Sequence, residues 1–295
     1  MRQGIFHPNG RLLVTVADDF GCSSSVNGAI AEAYDKGIVT AASLMAGGTA
    51  FHEAVQMTRE RRQLSVGLHV TLCDGRAVLP STQILDLTDA DGFFKKSPIK
   101  AWLCVNYNLL QQIELEIDAQ FNRLEESGIR PTHVDGHHHL HMHPLIFEVL
   151  CRQASRRGVE WIRIPKEPVS VVFKFHSPSR RAMAFVEWAV FGMLRKRHER
   201  VARKYGLSVA RHVYGLSRTG EIDEEYLLNL FDHAGISLDE IFTHPDMSTQ
   251  AGMRELKALT SPRVRDQLAF LGITLAGYGE LSEMASAPRS AWERV

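Results

Sequence analysis

Histidine is the residue type that first suggests chemistry. Six of the 14 histidines fall between His133 and His143, in the run Thr132-His-Val-Asp-Gly-His-His-His-Leu-His-Met-His143. Two other polar clusters interrupt apolar stretches: Asp18-Asp19 closes 12–17 (LLVTVA), and His69 stands inside 65–72 (SVGLHVTL). Two imidazoles and one carboxylate make a three-ligand catalytic metal site that leaves a position for water. A second carboxylate beside them can act as general base on that water. Taken singly, each cluster has a plainer reading. Adjacent aspartates often only cap or turn the chain. A histidine in an apolar strand is commonly a satisfied core residue, and a histidine-rich tract can bind metal adventitiously at a surface. This tract is internal, follows an apolar strand and precedes a helix opened by Pro144. The three clusters together point to a site.

The elements that must bring them together are legible as alternating short apolar runs and longer amphipathic ones. Strands are predicted over 12–17, 39–46, 65–72, 132–135, 161–164, 240–243 and 273–276. Helices are predicted over 24–36, 50–62, 109–127, 145–157, 180–204, 223–233 and 263–271. Between them, 74–100 carries Pro80, Gly92 and Pro98 and little periodicity, so it reads as a loop enlarged for function. About seven parallel strands with helices between them predict an α/β fold, a distorted TIM-like (β/α) barrel. It is expected to be a single unit over 1–295, with an insertion at about 168–212. Residues just beyond the strand C-termini of such a barrel share one face, which lets the three clusters converge. GxGxxG and GxxxxGK[ST] are both missing, which weakens nucleotide-binding readings.

Composition narrows the class further. With 295 residues, 44% hydrophobic and 23% charged, the chain reads as globular. Its 34 basic and 34 acidic side chains argue against a nucleic-acid binder. Cys22, Cys73, Cys104 and Cys151 lack CxxC spacing and read as reduced thiols, so a cytoplasmic location is expected. The sequence shows no signal-peptide pattern and no apolar run of membrane-spanning length. The zero net charge is a cancellation, because 174–204 holds nine Lys or Arg against two acidic residues. Within it, 182–194 (AMAFVEWAVFGML) has Glu187 as its single charge and is followed by Arg195-Lys196-Arg197. Its aromatic residues Phe185, Trp188 and Phe191 suit a helix lying in an interface or roofing a greasy substrate channel. The adjacent bases favour anionic headgroups, so a peripheral membrane contact at the inner face is an expectation of this reading. The plainer reading is one more outer helix of the barrel.

The blocks Val16-Ala-Asp-Asp-Phe-Gly21, Gly67-Leu-His-Val-Thr-Leu72 and Thr132-His-Val-Asp-Gly-His-His-His-Leu-His141 resemble, in this order, the signature blocks of the YdjC/ChbG-like carbohydrate deacetylases. The resemblance implies a (β/α) barrel and metal-dependent removal of acetyl groups from N-acetylated sugars. It implies Asp19, His69 and His137 as metal ligands and Asp18 as the base. Spacing alone does not choose among His137, His138 and His139. Phe242-Thr-His-Pro245 looks like the family's C-terminal His-Pro block, and His244 suits a proton donor to the leaving amine. Arg163 could orient Asp18 or meet the sugar, and a plain surface arginine is an equal reading; His139, Phe185 and Trp188 are the other candidate substrate-binding residues. The 174–204 segment, Val213-Tyr-Gly-Leu-Ser217 and Ile241-Phe-Thr-His-Pro245 look like the family's hopanoid-biosynthesis-associated branch. That likeness implies an acetylglucosaminyl hopanoid as substrate, with the free amino sugar left on the lipid.

Two His and one Asp suit one Zn²⁺ better than Mg²⁺, which prefers all-oxygen ligation and is the alternative. A soluble chito-oligosaccharide deacetylase is the runner-up with the same chemistry. A metal-dependent phosphoesterase and a non-catalytic lipid binder are readings of other classes.

Overall fold

The computed structural model describes residues 10–286 except 169, 172–173, 175–177 and 233–237; side chains at 178–188, 190–191 and 285–286 also fall outside the description. Among the described residues eight parallel strands build one sheet: β1 (Arg11–Phe20), β2 (Ala41–Leu44), β3 (Ser65–Val70), β4 (His133–Gly136), β5 (Trp161–Ile162), β6 (His212–Tyr214), β7 (Leu238–Thr243) and β8 (Ile273–Leu275). Seven follow the path β5-β4-β3-β2-β1-β7-β6, curled into a half-barrel consistent with a distorted TIM-like barrel. Strand β8 pairs with the first residues of β1, while β2 pairs with its last. The two ends of the path are bridged by Trp161 with Ser208 and by Lys166 with Val213.

The α-helices among the described residues are α1 (Ser24–Lys36), α2 (Phe51–Glu60), α3 (Pro98–Cys104), α4 (Leu110–Glu126), α5 (Pro144–Arg156), α6 (Pro178–Lys204), α7 (Glu224–Phe231), α8 (Gln250–Leu259), α9 (Pro262–Phe270) and α10 (Tyr278–Ser286). Their starts follow capping chemistry: the Ser23, Ser97, Asp223, Thr249 and Ser261 side chains accept backbone N–H bonds at five of them. Pro98, Pro144 and Pro262 stand in first turns, where a missing N–H costs nothing.

Side chains alternate along the strands, and the alternation sorts the chain into two cores. Leu13, Ala17, Leu44, Leu68, Val134 and Ile162 pack outward in the cluster shared with the helices. Val14, Val16, Ala41, Val213 and Phe242 face inward and are joined by Tyr278 and Leu281 of α10. The interior turns polar beyond this layer: Asp18, Ser43, His69, His133, Asp135, Arg163 and Glu240 are all buried. Gly67 is part of that fit, because a Cβ there would lie 2.5 Å from the His133 ring. The long 74–97 connection is tied down by buried Glu116 of α4, whose carboxylate accepts the backbone N–H groups of Val78 and Leu79 at 2.9 and 3.0 Å.

Candidate active site

Consecutive strand residues ordinarily point to opposite faces, so Asp18 and Asp19 should diverge. They do not, because Asp19 is left-handed at φ 62° and the β1–β2 register shifts between Ala17 and Phe20. This bulge turns both carboxylates toward the mouth of the barrel. Among the described residues the non-glycine positions with φ in the left-handed region are Asp19, Asp74, His138 and His139. All four stand at this mouth, Asp19 near the end of β1 and the others in the connections after β3 and β4, where backbone strain commonly serves a site.

Asp19 Oδ1 lies 2.8 Å from His137 Nδ1 and 3.3 Å from His69 Nε2. That oxygen is buried and has no hydrogen-bond partner. The three atoms crowd one another without the alignment of hydrogen bonds. The donor set of one carboxylate and two imidazoles fits a divalent transition ion, and all three donor atoms lie within 4.8 Å of one another. Burial would raise the Asp19 pKa, but the His137 and His69 imidazoles outweigh it and hold the carboxyl well below its usual range. The other His69 nitrogen, Nδ1, lies 2.7 Å from Asp135 Oδ1, the support that fixes the ring and tautomer of a ligating histidine. Asp135 in turn accepts from Ser43 Oγ at 2.7 Å.

Asp18 sits deeper, gripped by Arg163 through Nη1 at 2.6 Å and Nη2 at 2.9 Å. The Arg163 side chain is 1% exposed and also pairs with Asp135 at 2.7 Å and with Glu240 through Nε. Burial would lower its pKa, but Asp135, Asp18 and Glu240 together push it well above the usual value. Tyr278 donates its hydroxyl to Glu240. His244 approaches from β7, its Nε2 at 3.8 Å from Asp18 Oδ2. Its loop is held by buried Glu255, which accepts the backbone N–H of His244 at 2.6 Å and of Gly220 at 2.9 Å. A cleft of about 190 Å³ opens onto Asp18, Asp19 and His244 and is also lined by Thr219, Asp246 and Thr249.

The structure therefore brings Asp18, Asp19, His69, His137 and His244 to one mouth. Arg163 lies beneath them, where burial fits the orienting role and not contact with a sugar. His139 packs its ring edge-on to Phe242, centroids 4.9 Å apart. Phe185 and Trp188 fall on α6, and their side chains lie outside the described residues. Asp135, Ser43, Glu240 and Tyr278 are members of the buried network that the sequence reading left without roles. The available signal was a polar residue on the inward register of an apolar strand, as in Asp239-Glu240-Ile241-Phe242.

The chain matches the family described as YdjC-like protein over residues 12–269 and belongs to it. It is 30% identical over 280 residues to a carbohydrate deacetylase of Brevibacillus brevis, covering 91% of this chain and 99% of that one. Among solved structures, a protein of Enterococcus faecalis V583 named for cellobiose-phosphate cleavage superposes with a TM-score of 0.74 at 24% identity, covering 92% of this chain and 99% of that one. A lactam utilization protein of Thermus thermophilus superposes with a TM-score of 0.50 at 15% identity, covering 90% of this chain and 99% of that one. Both likenesses describe the fold.

Proposed function

We propose that the protein is a metal-dependent carbohydrate N-deacetylase, hydrolysing the acetamide of an N-acetylated amino sugar. The observation that carries this reading is the convergence of Asp19, His69 and His137 beside a second carboxylate, Asp18, and a facing imidazole, His244. The first three residues would hold one divalent ion, Zn²⁺ by donor type. When bound, such an ion would polarise the amide carbonyl and acidify the attacking water. Asp18, fixed by the bidentate Arg163 grip, takes the proton of that water. His244, across the cleft, gives a proton to the departing nitrogen. Asp135 keeps His69 in register through its Nδ1. The relative named carbohydrate deacetylase supports the same chemistry.

A proton on His69 links this centre to pH. Burial alone would lower the His69 pKa, but Asp135 and Asp18 outweigh it and hold the metal-free value up to about 10, from 6.5. This proton stabilises the metal-free fold fully below about pH 6.5, and the contribution is lost as pH rises through about 10. A ligating nitrogen must shed its proton, so metal affinity should climb with pH across that window, with about one proton released per ion. Calorimetry in buffers of different ionisation enthalpy reads the proton count. Binding with no proton release at pH 8 would remove His69 from the ligand set.

The sugar is carried on a lipid in the reading favoured here, an acetylglucosaminyl hopanoid, with a soluble chito-oligosaccharide as the alternative. Support comes from α6, which runs 27 residues, against 17 for the next longest described helix. Its apolar 182–194 stretch leads into Arg195-Lys196-Arg197, and Met193 is exposed. Helix α3 adds exposed Ile99 and Leu103, close in the chain to exposed Lys95, Lys96 and Lys100. Both helices reach the histidine tract: Trp102 meets His143 edge-on with ring centroids 5.0 Å apart, and Arg197 acts on His143 electrostatically. We take 168–212 as the substrate- or membrane-facing insertion on the barrel. Among the described residues no helix is long and apolar enough to cross a membrane. The attachment proposed for this face is peripheral, because 13 apolar-rich residues are too few to span a bilayer. The protein should float with anionic phosphatidylglycerol vesicles and not with neutral ones, each exposed base adding about 1 kcal/mol. Deleting 182–194, or combining Ile99→Ser with Leu103→Ser, should abolish flotation; equal recovery of all variants would refute the membrane face. Acetate release from an N-acetylglucosaminyl lipid compared with chitobiose decides the carrier. Release of phosphate from phosphorylated sugars without acetate from either would overturn the deacetylase reading.

A further inference from the structure

Beside the centre lies a second set of ligand-type side chains with a different exposure. Asp74, His137 and His138 offer donor atoms within 4.8 Å of one another. His138 Nε2 is 3.5 Å from Asp74 Oδ2, and the His137 and His138 rings stand 4.2 Å apart, centroid to centroid. His137 belongs to both sets. Side-chain exposure falls stepwise along the pair of clusters: 48% at Asp74 and 41% at His138, 21% at Asp19 and 14% at His137, 2% at His69. Asp74 is held in place by its backbone N–H, which donates to Lys95 O at 3.0 Å.

A neutral imidazole has one lone pair free for a metal, so His137 serves one cluster at a time. A permanent second ion is therefore disfavoured, and the geometry points to a relay. We infer that Asp74 and His138 form a loading site that captures a hydrated divalent cation at the surface and passes it, through His137, to Asp19 and His69. An aqua ion must exchange its waters for protein ligands, and a half-exposed pair lets it do so stepwise instead of stripping at once into a nearly closed site. A relay accelerates entry and exit alike and leaves the equilibrium unchanged. This inference rests on the metal-centre reading above.

The test uses the full chain and Co²⁺, whose visible absorbance reports nitrogen and oxygen ligation. Stopped-flow mixing gives the uptake rate of the stripped protein, and dilution of loaded protein into excess EDTA gives the release rate. In the Asp74→Asn/His138→Gln variant both rates should fall severalfold and by the same factor. The dissociation constant and the stoichiometry of one ion per chain should stay as in the unaltered protein. Unchanged rates would overturn the relay, as would a weakened dissociation constant at an unchanged uptake rate, or two ions bound per chain. The His69→Gln variant separates the two claims: uptake that depends on His69 establishes the centre whatever the relay result. Uptake equal with and without His69 would sink the centre and the relay together.

Discussion

The Asp18→Asn protein is expected to bind its metal with nearly unchanged affinity and to turn over N-acetylated substrate about 10²- to 10⁴-fold more slowly, the range that a positioned general base contributes. The substitution is isosteric, and Arg163 keeps Asp135 and Glu240 as partners, so the buried network survives. Asn has no carboxylate to accept the proton of the attacking water. The loss should therefore appear in kcat, with KM little altered, and metal content by mass spectrometry should stay at the level of the unaltered protein. His137→Ala should behave differently, losing metal and turnover together. Turnover of Asp18→Asn within a few-fold of the parent would show that another group moves the proton.

The second large effect concerns stability. Arg163→Met should cost about 3–5 kcal/mol of unfolding free energy, because it strands Asp18, Asp135 and Glu240 in the barrel interior without their cation. The sign of the pH response should also change. In the parent, burial would raise the Asp135 pKa, but Arg163 and His69 depress it far below the usual carboxylate value. That contribution to stability is present above the unfolded carboxylate pKa and is lost as pH falls through the depressed one. Without Arg163, burial raises the carboxylate pKa values, so the variant should gain stability relative to the parent as pH falls from 7 toward about 5. Urea unfolding at the two pH values measures both effects. A loss below about 1 kcal/mol would mean that the triple grip is not a structural keystone.

The sheet was largely legible because its strands are buried runs with clear ends. Strands β1, β3, β4 and β7 and helices α1, α4 and α5 lie where periodicity put them, within a few residues. Strand β6 was missed: at three residues it is too short to show a period, and it is held by β7 and by the Lys166–Val213 bridge. Helix α3 was hidden because Pro98 reads as a loop residue, whereas here it stands at the helix start under a Ser97 cap. Helix α8 was masked by Gly252, whose Cβ would meet Asp246 at 2.5 Å.

The site was legible in its residue types and not in its geometry. Asp18, Asp19, His69 and the tract announce themselves as polar groups where apolar strands stop. His137, named through the family resemblance, meets Asp19, while His138 and His139 turn left-handed, a conformation that no hydrophobic pattern encodes. The burial of Arg163 is equally silent in sequence, since its three partners come from β1, β4 and β7, far apart in the chain.

The most direct measurement is a metal titration read by acetate release. Metal-stripped protein should release no acetate from an N-acetylated amino sugar substrate. Activity should rise in proportion to added Zn²⁺ and level off at one equivalent per chain, with no such rise in His69→Gln. Full acetate release by the stripped protein, or none at any metal loading, would contradict the account.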